Sequence, residues 1–165
     1  MDYFSISDIS SLVVFHPITL GVVLAIILTL LLLLLSGFAS GSEIAFFSLS
    51  PQDVDSLDPE RRADDKRIVE LRDDSERTLA TILIANNFVN VTIIMLCNYI
   101  FGSLVKFKSE LLEFLCITVL LTFLLLLFGE IMPKVYSRQS PLKFCRRVVG
   151  GILLLRKIFG LWKQY

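Results

Sequence analysis

Histidine occurs once in this sequence (His16), tryptophan once (Trp162) and cysteine three times (Cys97, Cys116 and Cys145). No two cysteines stand at a metal-ligand spacing such as C-x-x-C. Two of the three lie in apolar stretches, where a thiol packs as a small buried side chain. Zinc and copper centres therefore find no support. No nucleophile–base pair, metalloprotease helix motif or nucleotide-binding loop is present, so the chain is not expected to be an enzyme. Excess positive charge is also missing. Sixteen Lys and Arg balance sixteen Asp and Glu, which leaves no basic surplus for nucleic-acid binding. The first sixteen residues hold no Lys or Arg at all. Met1 to Pro17, with Asp2 and Asp8, therefore lacks the basic start of a cleaved secretory signal.

What the sequence has in excess is apolar surface. Of 165 residues 55% are hydrophobic, and the mean hydropathy is +0.72. The excess falls in three long uncharged runs, each exceeding the need of a buried soluble helix. Backbone polar groups facing lipid must be satisfied within the segment, so these runs are expected to be helices. The first span covers about 17–49, with GVVLAIILTLLLLLL (21–35) at its heart. The second covers about 78–104 and the third about 111–132, where Pro133 disfavours helix at the residue before it. The fold class expected is an all-α membrane protein with three transmembrane helices plus a basic amphipathic juxtamembrane helix. Residues 1–139 would form the transmembrane domain and 140–165 the juxtamembrane helix.

Between the first two spans, residues 51–77 carry ten acids and six bases and cannot enter hydrocarbon. Ser50-Pro51 and Asp58-Pro59 each read as an N-cap followed by Pro at the first helical position. One or two short surface helices are expected here, with Asp74 or Ser75 capping the second span. The tail from Ser140 holds six Lys or Arg and no acid. Leu142, Phe144, Val148, Val149, Ile152 and Phe159 recur in it at roughly helical spacing. Two readings remain open for this helix. It lies on anionic lipids of the inner leaflet, or it packs on protein. The pattern stops at Lys-Gln-Tyr, and a soluble C-terminal portion is expected beyond it. Trp162 and Tyr165 read as interfacial anchors, and His16 as an interfacial polar residue. Lys and Arg number none before the first span, six in 51–77, two in 105–110 and eight after Met132. By the positive-inside rule, the N-terminus is outside and the C-terminus cytoplasmic.

Polar groups inside a span are expensive, so each needs a reason. Three clusters occur, at Ser36 to Glu43, Asn86 to Asn90, and Gly129-Glu130. All three fall in the cytoplasmic half of their spans. Asn86 and Asn90 are one helical turn apart and share a face. Their amide oxygens, Ser40, Ser42 and the carboxylates of Glu43 and Glu130 would together make an oxygen-only site. Such a donor set suits a hard cation such as Mg²⁺ or Ca²⁺. The alternative is structural: small-residue packing at Ser36 to Ser42, with the asparagines gluing helices by hydrogen bonds.

Three segments carry a resemblance. They are Ser-Gly-Phe-Ala-Ser-Gly-Ser-Glu-Ile-Ala at 36–45, Ile-Ala-Asn-Asn-Phe-Val-Asn at 84–90 and Phe-Gly-Glu-Ile-Met-Pro-Lys at 128–134. In this order, with the charged loop between the first two, the sequence resembles the DUF21 transmembrane domain of the CNNM/CorC magnesium transporter family. Ala85 stands where many relatives have Gly, and Met132 where Ile is frequent; neither change removes a candidate ligand. The resemblance implies a homodimer in a bacterial inner membrane and a dehydrated Mg²⁺ in an inward-open cavity. It implies ligands among Ser40, Ser42, Asn86, Asn90, Gly129 and Glu130. It further implies Mg²⁺ export, exchanged for Na⁺. Independently of the resemblance, the acids Glu43 and Glu130 are expected to supply negative potential at such a site. Relatives normally continue into a CBS-domain pair, which these 165 residues do not contain. A non-transporting membrane scaffold, for instance of a motility or secretion complex, is the competing function.

Overall fold

The computed structural model of the chain describes residues 13–107 and 109–160. The expected anchors Trp162 and Tyr165, and most of the Met1–Pro17 segment, lie outside the described residues. So does the side chain of Phe159.

The chain is an all-α membrane protein with three spanning helices. Helix α1 (Leu20–Phe47) is the first span. Thr19 caps it by accepting a bond from the Val22 N–H. Two short helices follow, α2 (Pro51–Asp55) and α3 (Ala63–Asp73). Ser50 and Asp53 close a reciprocal capping box on α2. The expected second Ser/Asp-Pro start differs: Asp58-Pro59 opens a turn, in which the Asp58 carboxylate accepts from the Arg61 N–H, and α3 begins only at Ala63. Helix α4 (Ser75–Leu104) is the second span. Asp74 stands at its start but makes no side-chain cap, because its carboxylate is taken by Arg156, 2.6 Å away.

The third span is one continuous stretch of helix, Glu110–Gln139. It consists of α5 (Glu110–Leu124), a π-helical segment (Leu125–Ile131) and α6 (Met132–Gln139). The expected stop before Pro133 does not occur. The wider π turn ahead of the proline carries its missing N–H and relieves the ring's clash with the preceding turn. Helix α7 (Pro141–Gly160) follows after a break at Ser140.

One departure from all-helical order lies at the end of the bundle away from the charged segment. Strand β1 (Val13–Phe15) pairs antiparallel with β2 (Val105–Phe107), Val14 opposite Lys106. The His16 N–H extends the ladder to the Leu104 carbonyl at 2.9 Å. The approach to α1 is thus fastened to the exit of α4.

Spans pack where side chains are small. Ser36, Gly37, Ala39, Ser40, Gly41, Ser42 and Ala45 of α1 are all buried. Two glycines there are required by close approach. A Cβ on Gly37 would lie 3.0 Å from Pro133 Cγ, and one on Gly41 would lie 2.7 Å from Phe144 Cζ. Leucines on the far side of α1, such as Leu28, Leu31 and Leu34, are exposed, as is most of α5. Those faces are suited to lipid.

The main core sits at the charged end. Ala39, Ala45 and Phe46 of α1, Ile68 and Leu71 of α3 and Ile82 of α4 meet Cys145, Val148, Val149 and Ile152 of α7. The apolar stripe expected of the tail helix therefore packs on this chain's own spans and loop helices. Two ion pairs fasten the same helix. Arg146 binds Asp65 of α3 through Nε at 2.6 Å and Nη2 at 2.9 Å, and Arg156 binds Asp74.

Candidate functional site

Asn86 and Asn90, four residues apart on α4, project toward α1 and meet one side chain there. Ser36 Oγ lies 3.0 Å from Asn86 Oδ1 and 2.7 Å from Asn90 Oδ1. Ser36 is fully buried and Asn86 nearly so. A serine hydroxyl has one proton and can donate it to only one of the two amide oxygens at a time. The other contact brings oxygen to oxygen with no hydrogen between. As the amides stand, three oxygens thus converge with lone pairs in excess, in surroundings of low dielectric. Turning one amide over would instead let its NH₂ donate to Ser36. That would complete a plain helix-to-helix tie.

The third span closes on the same point. A Cβ on Gly129 would lie 3.1 Å from Ser36 Oγ, so the Gly129 backbone rests directly on the serine. Gly129 belongs to the π-helical segment, where the Met132 N–H reaches back to the Leu127 carbonyl. The next donor in that register would be residue 133, a proline without an N–H. The Phe128 carbonyl therefore receives no bond from it. Phe128 O faces α1, 3.6 Å from where a Gly37 Cβ would stand. π-Helical turns are frequent at functional sites.

The three elements meet at matched depth. Ser36 precedes the end of α1 at Phe47 by eleven positions, and Asn86 follows the start of α4 at Ser75 by the same number. Gly129 lies ten positions before the end of the third helix at Gln139. At 1.5 Å per residue each is about 16 Å from the charged end of its helix.

The other sequence candidates divide. Ser40, one turn after Ser36 on the same face of α1, is fully buried and its hydroxyl has no partner among the described residues. Ser42 is about 200° around the helix from Ser40, and its hydroxyl donates to the Phe38 carbonyl of its own helix at 2.6 Å. It is not brought to the asparagines. Glu43 pairs with Lys134 Nζ at 3.9 Å, joining α1 to α6. Glu130 is half-buried and makes no ion pair among the described residues. Among the described residues, no three His, Cys, Asp or Glu side chains gather into a metal cluster. The converging group is therefore made of neutral oxygens.

Ser36 itself is the residue that sequence reasoning passed over. Its position one turn before Ser40 was the available signal.

Over residues 26–162 the sequence matches the family described as the cyclin M transmembrane N-terminal domain. The chain belongs to the CNNM family. The metal transporter cnnm-4 of Caenorhabditis elegans is 32% identical to it over 129 residues. That alignment covers 73% of this chain and 26% of the relative, so this CNNM chain spans about a quarter of that relative's length. Ser36, Asn86, Asn90 and Gly129 all lie inside the residues matched to the CNNM domain.

Proposed function

We propose that this CNNM-family chain is the membrane-spanning unit of a divalent-cation transporter whose cargo is Mg²⁺. The observation that carries this reading is the meeting of Ser36 Oγ, Asn86 Oδ1 and Asn90 Oδ1 from two spans, with one proton among three oxygens. Ser40 Oγ, one turn away and buried without a partner among the described residues, and the Phe128 carbonyl of the π-helical segment extend the donor set. Mg²⁺ prefers about six oxygens and gives up water reluctantly. Neutral hydroxyl, amide and carbonyl oxygens replace part of its shell without the tight hold of several carboxylates. That suits an ion which must also leave. Glu43 is offset by Lys134, so Glu130, beside Gly129, is the carboxylate that supplies negative potential.

The reading includes the positive-inside orientation, with the 51–77 segment and α7 in the cytoplasm. It includes export driven by exchange for Na⁺. It also includes a homodimer in which the loosely packed third span faces the second copy. The relative's description as a metal transporter supports the cargo class.

The test is Mg²⁺ flux in liposomes containing the purified protein, with and without a Na⁺ gradient. Wild-type protein is expected to move Mg²⁺, and Asn86→Ala and Asn90→Ala each to slow it at least about tenfold, the usual floor for disturbing a metal's surroundings. Each variant's thermal stability is measured beside its flux. Absence of wild-type flux, or folded variants with unchanged flux, would assign Ser36 and the asparagines to helix assembly and favour the scaffold function.

A further inference from the structure

Five cationic side chains project from α7 between Pro141 and Ile158, and no acid accompanies them. Two are committed within the protein, Arg146 to Asp65 and Arg156 to Asp74. Lys143 and Arg147 are exposed, stand four residues apart on one face, and have no carboxylate within 4.0 Å among the described residues. They form one wall of a cavity of about 260 Å³ between α6 and the first turns of α7, whose other lining residues are Tyr136, Gln139, Ser140 and Phe144.

The cavity has two chemistries. Its floor is aromatic: Tyr136 meets Phe144 edge-on, with ring centroids 6.2 Å apart. Its rim holds two cations, a primary amide and two hydroxyls, all able to donate hydrogen bonds to phosphate oxygens. Beside it, Met132, Val135 and Tyr136 of α6 are exposed. α6 is the last stretch of the third spanning helix, which places the cavity at the end of that span. A soluble anion would leave that apolar strip uncovered; a lipid would cover it with acyl chain.

We propose that this cavity binds the phosphate of an anionic lipid headgroup, clamped by Lys143 and Arg147 and bordered by Tyr136, Gln139 and Ser140. The inference is independent of the cargo, because it uses none of the residues between the spans. Basic pockets at the cytoplasmic ends of spans are suited to such headgroups. The site also explains why only part of the tail's positive charge is spent inside the protein.

The test is native mass spectrometry of the purified protein with added phosphatidylglycerol or phosphatidylcholine. Wild-type protein should retain phosphatidylglycerol at least about tenfold better, as two clamping cations allow. Lys143→Gln with Arg147→Gln should abolish the preference, whereas Lys143→Arg with Arg147→Lys should keep it. Lys157→Gln removes an exposed cation of the same helix outside the cavity and should also keep it. Far-UV circular dichroism and Tm confirm folding of each variant. The proposal is overturned by equal retention of the two lipids, or by a preference that survives the double Gln variant. It is equally overturned by a Lys157→Gln loss matching the double variant's, which would mean diffuse attraction. Displacement of the lipid by inorganic phosphate would overturn it too, by making the ligand a soluble anion.

Discussion

Arg146 holds Asp65 through two nitrogens, Nε to Oδ1 at 2.6 Å and Nη2 to Oδ2 at 2.9 Å, across 81 positions of sequence. Asp65 is fully buried and accepts a further bond from the Asp58 N–H at 3.0 Å. A carboxylate taken out of water needs this many partners. The fork of Arg146 supplies the main ones, and the Asp58 turn supplies the last.

Removing one member of this pair strands the other. Asp65→Ala should destabilise the protein by about 3–5 kcal/mol, a fall in Tm on the order of 10 °C. Asp65→Leu combined with Arg146→Met should cost less than Asp65→Ala alone, because no charge is left buried. Thermal unfolding of the three variants in one detergent measures both differences. The Arg146 guanidinium also holds the Asp65 carboxyl below the usual carboxylate range. A depressed folded pKa contributes stability that is fully present above the ordinary Asp value of about 3.9 and is lost as pH falls through the lower folded value. This pair's contribution to Tm should therefore be constant from pH 7 to about 5 and decline below about pH 4. In Asp65→Asn that part of the decline should vanish.

Gly129→Ala tests the contact between the third span and Ser36. The added methyl would stand 3.1 Å from Ser36 Oγ and force the hydroxyl off its position between the asparagines. Mg²⁺ protection against thermal unfolding should drop at least about tenfold in apparent affinity. The metal-free Tm should fall by about 2–12 °C, since overpacking by one methyl typically costs about 1–3 kcal/mol, and the loss of Mg²⁺ protection should come on top of that fall. Equal losses with and without Mg²⁺ would make Gly129 a packing residue only.

Cys145 should be chemically silent. It is fully buried in the core at the charged end, and burial pushes its thiol up to about 12. The thiolate is the reactive form, so at pH 8 almost none exists. In a Cys97→Ala, Cys116→Ala background, N-ethylmaleimide should leave the folded protein unmodified and label it once after denaturation. Rapid labelling of the folded protein would show that α7 detaches from the core.

The spans were legible because charge is sparse in them, confined mostly to their ends, and dense between the first two. Asn86 and Asn90 were legible as a pair because four residues make one turn. The choice among Ser36, Ser40 and Ser42 was not. It depends on the rotation of α1 about its axis, which is set by Gly37 meeting Pro133 and Gly41 meeting Phe144. Those contacts join residues roughly a hundred positions apart. The π-helical segment was hidden for a related reason. Nothing in Leu125–Ile131 distinguishes a π turn from an α turn by composition, and Pro133 read as a stop until the packing against α1 showed how the turn widens around it. Three-residue strands are too short to carry a pattern, so the pairing of Val13–Phe15 with Val105–Phe107 left no mark. The stripe on α7 was visible, but a stripe does not say whether its partner is lipid or protein.

The second clamp on α7 has a mechanical corollary. Arg156 is anchored to Asp74, the residue immediately before α4, and eleven residues past the start of that helix stands Asn86. Any sliding of α7 along its axis pulls on the root of the helix that carries both asparagines, while Arg146 holds α3 in step. α7 is thus tied by a side-chain clamp to the root of the helix that carries both amide oxygens.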